Sequence, residues 1–203
     1  MSSQMVSLRP VELEKDGGAL GLSLVSGTMA AGLAANSEIF QLRWVHPEFL
    51  AVLEELSIWA GNAGTAFAAG FCRFHAIPAR AWTADGSGGT AATLTGNNGK
   101  LRTSHSGWPP AVTARVASTA ALTAGTKTLD AQGIGSAGGG VLATAGADLI
   151  KPKVNLIEVA SLKHPLVLAN QEGVVITAAV PATGTWTFGV DVRLSSTRAY
   201  DLR

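Results

Sequence analysis

The segment Gly96-Asn97-Asn98-Gly99-Lys100 carries the glycines and lysine with which a phosphate-binding loop cradles a nucleotide. Its spacing does not serve that chemistry. The motif needs another glycine five residues before Gly99, where Leu94 stands, and a hydroxyl residue after the lysine, where Leu101 stands. Gly86, Gly88 and Gly89 match no dinucleotide fingerprint, and no strand-then-helix pattern surrounds them. His46, His75, His105 and His164 have none of the close spacings of a local metal site, so only folding could bring two of them together. His105 lies between Ser104 and Ser106, but the glycine-flanked serine elbow is absent and no acid is near in sequence. Glu54 and Glu55 are adjacent, and neighbours on a strand face opposite ways, so the two cannot act together on one substrate. The expectation is a non-enzyme without cofactor or metal.

Aromatic side chains offer a different chemistry, the stacking of a sugar ring. Of the five tryptophans, Trp44 and Trp186 have the spacing of core residues. That leaves Trp59, Trp82 and Trp108 as glycan-stacking candidates of the kind used by jelly-roll lectins.

Any such residue must be held by strands, because period-two alternation dominates the chain. In residues 185–194, Trp186, Phe188, Val190, Val192 and Leu194 alternate with Thr187, Gly189, Asp191 and Arg193, which builds one apolar and one wet face. Residues 165–169 and 173–180 are also apolar and β-branched. Turn-forming breaks separate them from each other and from the 185–194 run, as in antiparallel strands joined by short connections. Phe40, Leu42 and Trp44 mark the first core strand, ended by His46-Pro47. Residues 47–56 have helical spacing with Pro47 at a possible first position, yet their surroundings favour a strand beginning near Ala51. Residues 70–82 alternate until Pro78, which fits an edge or a bulge. Residues 90–95 and 101–104 flank Asn98-Gly99 as a hairpin, 112–118 form a strand, 133–140 a loose loop, and 153–159 lead into the final strands.

Composition limits the role of this sheet. The 203 residues suffice for one domain, and a charged fraction of 14% with 24 glycines gives a poorly solvated surface suited to being covered by other chains. A net charge of +1, with its basic residues dispersed, is no footprint for nucleic acid. Cys72 stands alone, so no intrachain disulfide forms. Residues 17–37 lack charge and have the length of a membrane span. They are mostly small residues, however, and follow Glu12, Glu14, Lys15 and Asp16 rather than a basic flank, so neither insertion nor export is expected. Residues 1–36 are instead read as an extended N-terminal arm, with Leu20, Leu22 and Leu24 as its assembly contacts, attached to a β-sandwich domain over 37–203.

The stretches 26–36 (SGTMAAGLAAN), 89–103 (GTAATLTGNNGKLRT) and 180–190 (VPATGTWTFGV) resemble tailed-bacteriophage virion proteins of the capsid decoration or cement type. The similarity spans most of the chain after the arm and consists of turns and strands without a chemical motif. It implies an all-β antiparallel sandwich of jelly-roll type that assembles on a virion in the bacterial cytoplasm. Its implied partners are the major capsid protein or other virion proteins, and copies of itself as a homotrimer. A head-fibre or tail component, or a carbohydrate-binding host-attachment protein, are the alternatives.

Overall fold

The computed structural model describes residues 18–143, 148–158 and 165–198. Among them there is no helix; the chain forms two antiparallel sheets whose inner faces share one core. The first sheet runs β1 (Ala19–Val25), β13 (Thr185–Arg198), β4 (Phe49–Asn62), β10 (Asp148–Glu158). In it β2 (Met29–Ala30) also pairs with β13, and β11 (Leu166–Leu168) also pairs with β4. The second sheet runs β6 (Thr90–Ala91), β7 (Thr113–Val116), β3 (Ser37–Trp44), β12 (Glu172–Ala179), β5 (Gly70–Ala84), β8 (Thr126–Leu129), with β9 (Gly135–Val141) also on β5.

The alternation along β13 is realised as read: Trp186, Phe188, Val190, Val192 and Leu194 are all buried. Trp186 sits where the two sheets meet, its ring centroid 5.8 Å from Phe74 of β5 and 5.2 Å from Phe188. Its indole Nε1 donates to the Ala30 carbonyl at 3.1 Å, so the one polar atom of this core residue is satisfied.

The helix-like spacing in 47–56 has a structural cause. Arg193 pairs with Glu55 and the next residue, Leu194, with Leu53, which leaves Glu54 as the extra residue of a bulge. Leu53 and Leu56, three apart, therefore both face the core, as they would on a helix, while Glu54 is exposed.

Four expectations need correction. The described part of the supposed arm is integral to the first sheet. Leu20, Leu22 and Leu24 pair with Leu194, Val192 and Val190, Leu20 is fully buried, and Leu22 and Leu24 pack half-buried against the same core. Small residues between the leucines hid a strand whose inward positions are leucine throughout. Residues 1–17 lie outside the described residues. Leu20→Ala should accordingly cost about 2–5 kcal/mol, read as a shift in the urea midpoint, whereas an arm residue would cost under about 0.5.

Second, 133–140 is not a loop: 135–141 form β9, which pairs with β5 from Gly70↔Val141 to Ala76↔Gly135. Glycine is required where β9 approaches its neighbours, since a Cβ on Gly135 would lie 1.8 Å from the Leu156 carbonyl oxygen of β10. Third, the segments around Asn98-Gly99 form no ladder with each other. Gly99 and Leu101 bond to β1, through Gly21 N to Gly99 O at 2.7 Å and Leu101 N to Ala19 O at 3.0 Å. Fourth, Pro78 lies in an interior strand, between the end of β8 and the start of β9. Its carbonyl accepts from Asp130 N on that side at 3.0 Å, so its missing donor faces the same break in the ladder.

Candidate functional site

Three places gather side chains with chemical reach. The first is a groove of about 530 Å³ on the second sheet. Ala92 N donates to Ala114 O at 2.9 Å, the last bond before the chain that follows β6 and the chain that precedes β7 diverge. Between them open Leu94, Thr95 and Gly96 on one side and Gly107 to Val112 on the other. Trp82 and Trp108 line this groove, which unites two of the three expected sugar-stacking residues. Neither presents a ring face. Trp82 is 1% exposed, with Lys127 Nζ 4.5 Å from its ring centroid and Gly173 packed against it elsewhere. Trp108 is 6% exposed, and its buried Nε1, without a partner among the described residues, lies against Gly99.

The second is a buried charge cluster under the segment leading to β8. Lys127 Nζ lies 2.8 Å from Glu38 Oε2, with their side chains 1% and 6% exposed. Gln41 Nε2 donates to the same carboxylate oxygen at 2.6 Å and to Thr123 O at 2.8 Å, and Lys127 also donates to the Ala124 carbonyl. A bulge assembles this cluster. Ile176 pairs with Phe40 and Thr177 with Glu38, skipping Ile39, so Glu38 leaves the face it would share with Phe40 and joins Gln41. Regular alternation put Glu38 with the core residues, so sequence reasoning missed the cluster.

The third is the outer face of the first sheet. Across it run Ser23, Asp191, Ser57 and Asn155 in one row, and Val25, Gly189 and Trp59 in the next. Asp191 accepts from Ser23 Oγ at 2.6 Å and from Lys153 Nζ at 3.1 Å. Lys153 also reaches Glu55 Oε1 at 2.8 Å, and Arg193 Nε lies 3.5 Å from Glu55 Oε2. The Lys153 hydrogen bond holds the Glu55 carboxyl below its ordinary range, and the same bond raises Lys153. Beside this row is a concavity of about 390 Å³ lined by Ser23, Lys153, Asp191, Arg193 and residues 99–101.

Trp59 is half-buried with its indole against Gly189, where a Cβ would stand 2.2 Å from Nε1. It lies on the outer face of the first sheet, whereas Trp82 packs with Ile77 and Val175 of the second sheet and Trp108 packs with the main core, so the three tryptophans form no common platform. Asp191 and Arg193 do share this face, but Arg193 pairs with Glu55 rather than with Asp191.

Two of the described histidines accept hydrogen bonds from the backbone. His46 Nδ1 accepts from the backbone N of Glu48 and Phe49 at 3.1 and 2.9 Å, which fixes the turn into β4. His105 Nδ1 accepts from Ala19 N at 3.3 Å, and the His75 ring lies against Gly133. His164 is outside the described residues. Burial pushes the Cys72 thiol up to about 12, which leaves it unreactive as a nucleophile. Among the described residues no group of three His, Cys, Asp or Glu could hold a metal ion. No family model, no curated protein and no solved structure matches this chain.

Proposed function

We propose that this chain is a non-enzymatic structural protein of a tailed-phage virion, a jelly roll that bridges neighbouring capsid subunits as a decoration or cement protein. The observation that carries the reading is the strand pairing. Among the eight principal strands, first pairs with last (β1 with β13), second with seventh (β3 with β12), third with sixth (β4 with β10) and fourth with fifth (β5 with β9). That is one long hairpin, and rolling it up brings β13 beside β4 and β12 beside β5, as both ladders have it. Such rolled hairpins are widespread in viral capsid and lectin domains. The resemblance of residues 26–36, 89–103 and 180–190 to decoration proteins narrows that range to the virion.

A cement protein works through its surface rather than through a reactive group, and the surface here suits contact. Phe71, Leu142 and Ile134 are 64%, 73% and 43% exposed. They flank β9, which among the described residues has a ladder partner on one side only. An exposed apolar strand edge is a template for another chain, and in this reading the chain is a second copy, closing a homotrimer. Partners are the major capsid protein or other virion proteins. The reading includes neither nucleic acid nor membrane, and no described helix is long and apolar enough to span one.

Sedimentation velocity at micromolar concentration tests the self-association: the trimer mass is expected, with reduction to monomer by Phe71→Asp combined with Leu142→Asp. A monomer both in solution and on purified particles would refute it. Copy number per particle separates decoration of the head from a head-fibre or tail role, since a protein that bridges capsid subunits over the whole head must be far more abundant than one confined to a fibre or tail.

A further inference from the structure

We propose that the outer face of the β1–β13–β4–β10 sheet binds a neutral saccharide, with Trp59 as the stacking platform and Asp191, Ser23 and Asn155 as hydroxyl partners. This inference is independent of the virion reading, because a sugar site serves attachment on any scaffold.

Trp59 differs from the other two tryptophans in having ring surface left to give. It is half-buried on an outer face, with its indole laid against Gly189 of the neighbouring strand. A Cβ at position 189 would stand 2.2, 2.5 and 2.8 Å from Nε1, Cε2 and Cζ2, so glycine there is what lets the ring settle on the sheet. Val25, 57% exposed and paired with Gly189, extends the apolar spot toward the sheet edge. The apolar C–H face of a pyranose stacks on such a surface, because an aromatic face carries partial negative charge and a large contact area.

A stacking platform selects sugars only when hydroxyl partners lie within one ring of it. Asp191 is two residues along β13 from Gly189 on the same face, about 7 Å away at the rise of an extended strand. Its carboxylate is held from two sides, by Ser23 Oγ at 2.6 Å and Lys153 Nζ at 3.1 Å, yet its side chain is 30% exposed. The carboxylate is thus oriented in advance while part of its acceptor capacity still faces water, which suits a pair of sugar hydroxyls. Asn155, exposed and opposite Ser57, adds an amide that both donates and accepts. Next to this row the concavity of about 390 Å³ gives room for a second sugar unit. The charges explain the preference for a neutral ligand. Lys153 is shared between Glu55 and Asp191, and Arg193 lies against Glu55, so a carboxylated sugar would have to compete with these carboxylates for their cations.

The test is titration of the intact chain with neutral oligosaccharides ending in glucose, galactose or mannose, and with sialylated and uronate-containing ones. Binding is followed by tryptophan fluorescence and calorimetry. At least one neutral oligosaccharide should bind, with affinity lowered about tenfold or more by Trp59→Ala and by Asp191→Asn, and largely retained in Trp59→Phe. Trp82→Phe is the control away from this face. Thermal midpoints of the variants separate lost binding from lost fold: if Trp59→Ala fails to fold, Trp59→Phe and Asp191→Asn still decide. No binding to any neutral oligosaccharide at millimolar concentration, binding to acidic sugars alone, or binding unchanged by Trp59→Ala and Asp191→Asn would each overturn the proposal. Failure here leaves the sedimentation and particle results untouched, so the two readings fail separately.

Discussion

Lys127→Met should lower the stability of this protein by about 3–5 kcal/mol, because it leaves the Glu38 carboxylate buried without its cation. The Coulombic attraction between two ions in a protein interior roughly offsets the cost of taking both from water, so the pair itself contributes little. Removing one partner exposes the full cost of the other. The loss extends to the contact of Nζ with the Trp82 ring, and it frees the segment that brings Thr123 and Ala124 over the sheet. The check is a double-mutant cycle. Glu38→Gln combined with Lys127→Met should recover most of the stability, since a neutral amide can still bond to Gln41 and no charge stays buried. A Lys127→Met loss below about 1 kcal/mol would mean the carboxylate is solvated, as surface pairs are.

Trp186→Ala should cost about 3–5 kcal/mol for a different reason, a cavity between the sheets. Trp186 touches Phe74 on one sheet and Phe188 on the other, and its side chain is among the largest that are fully buried. Shrinking it removes contacts from both sheets at once and also leaves the Ala30 carbonyl without its indole donor. Denaturant unfolding would show the midpoint fall with little change in slope. A change under about 1 kcal/mol would place Trp186 on a wet face instead.

Strands were legible wherever alternation ran unbroken, as in β13, where five inward positions in a row are large and apolar. Legibility failed where the ladder is irregular. A bulge next to Glu54 made a strand look helical, and another at Ile39 moved Glu38 from the core face to a buried charge cluster. Both are single-residue insertions in pairing that become visible only once the partner strand is known. β9 failed for a third reason: its glycines have low strand propensity, and two of them, Gly135 and Gly138, serve close packing against β10 and β5. Leu20 was misplaced because inward leucines separated by small residues also describe a flexible arm. Of the sugar-stacking candidates, sequence set Trp59, Trp82 and Trp108 apart from core-spaced Trp44 and Trp186, but Trp82 and Trp108 are buried as well. All three lie against a glycine, so it is exposure, set by the partner strands, that distinguishes the partly buried Trp59 from the two that are buried.

The most direct test of the virion reading is a cryo-electron-microscopy reconstruction of particles purified from a host that expresses this chain, with mass spectrometry of the same particles. The account predicts the chain among the particle proteins, and on the head, at junctions between capsid subunits, repeated density into which the two sheets fit with β9 turned toward a second copy. A complete particle that lacks the chain would contradict it.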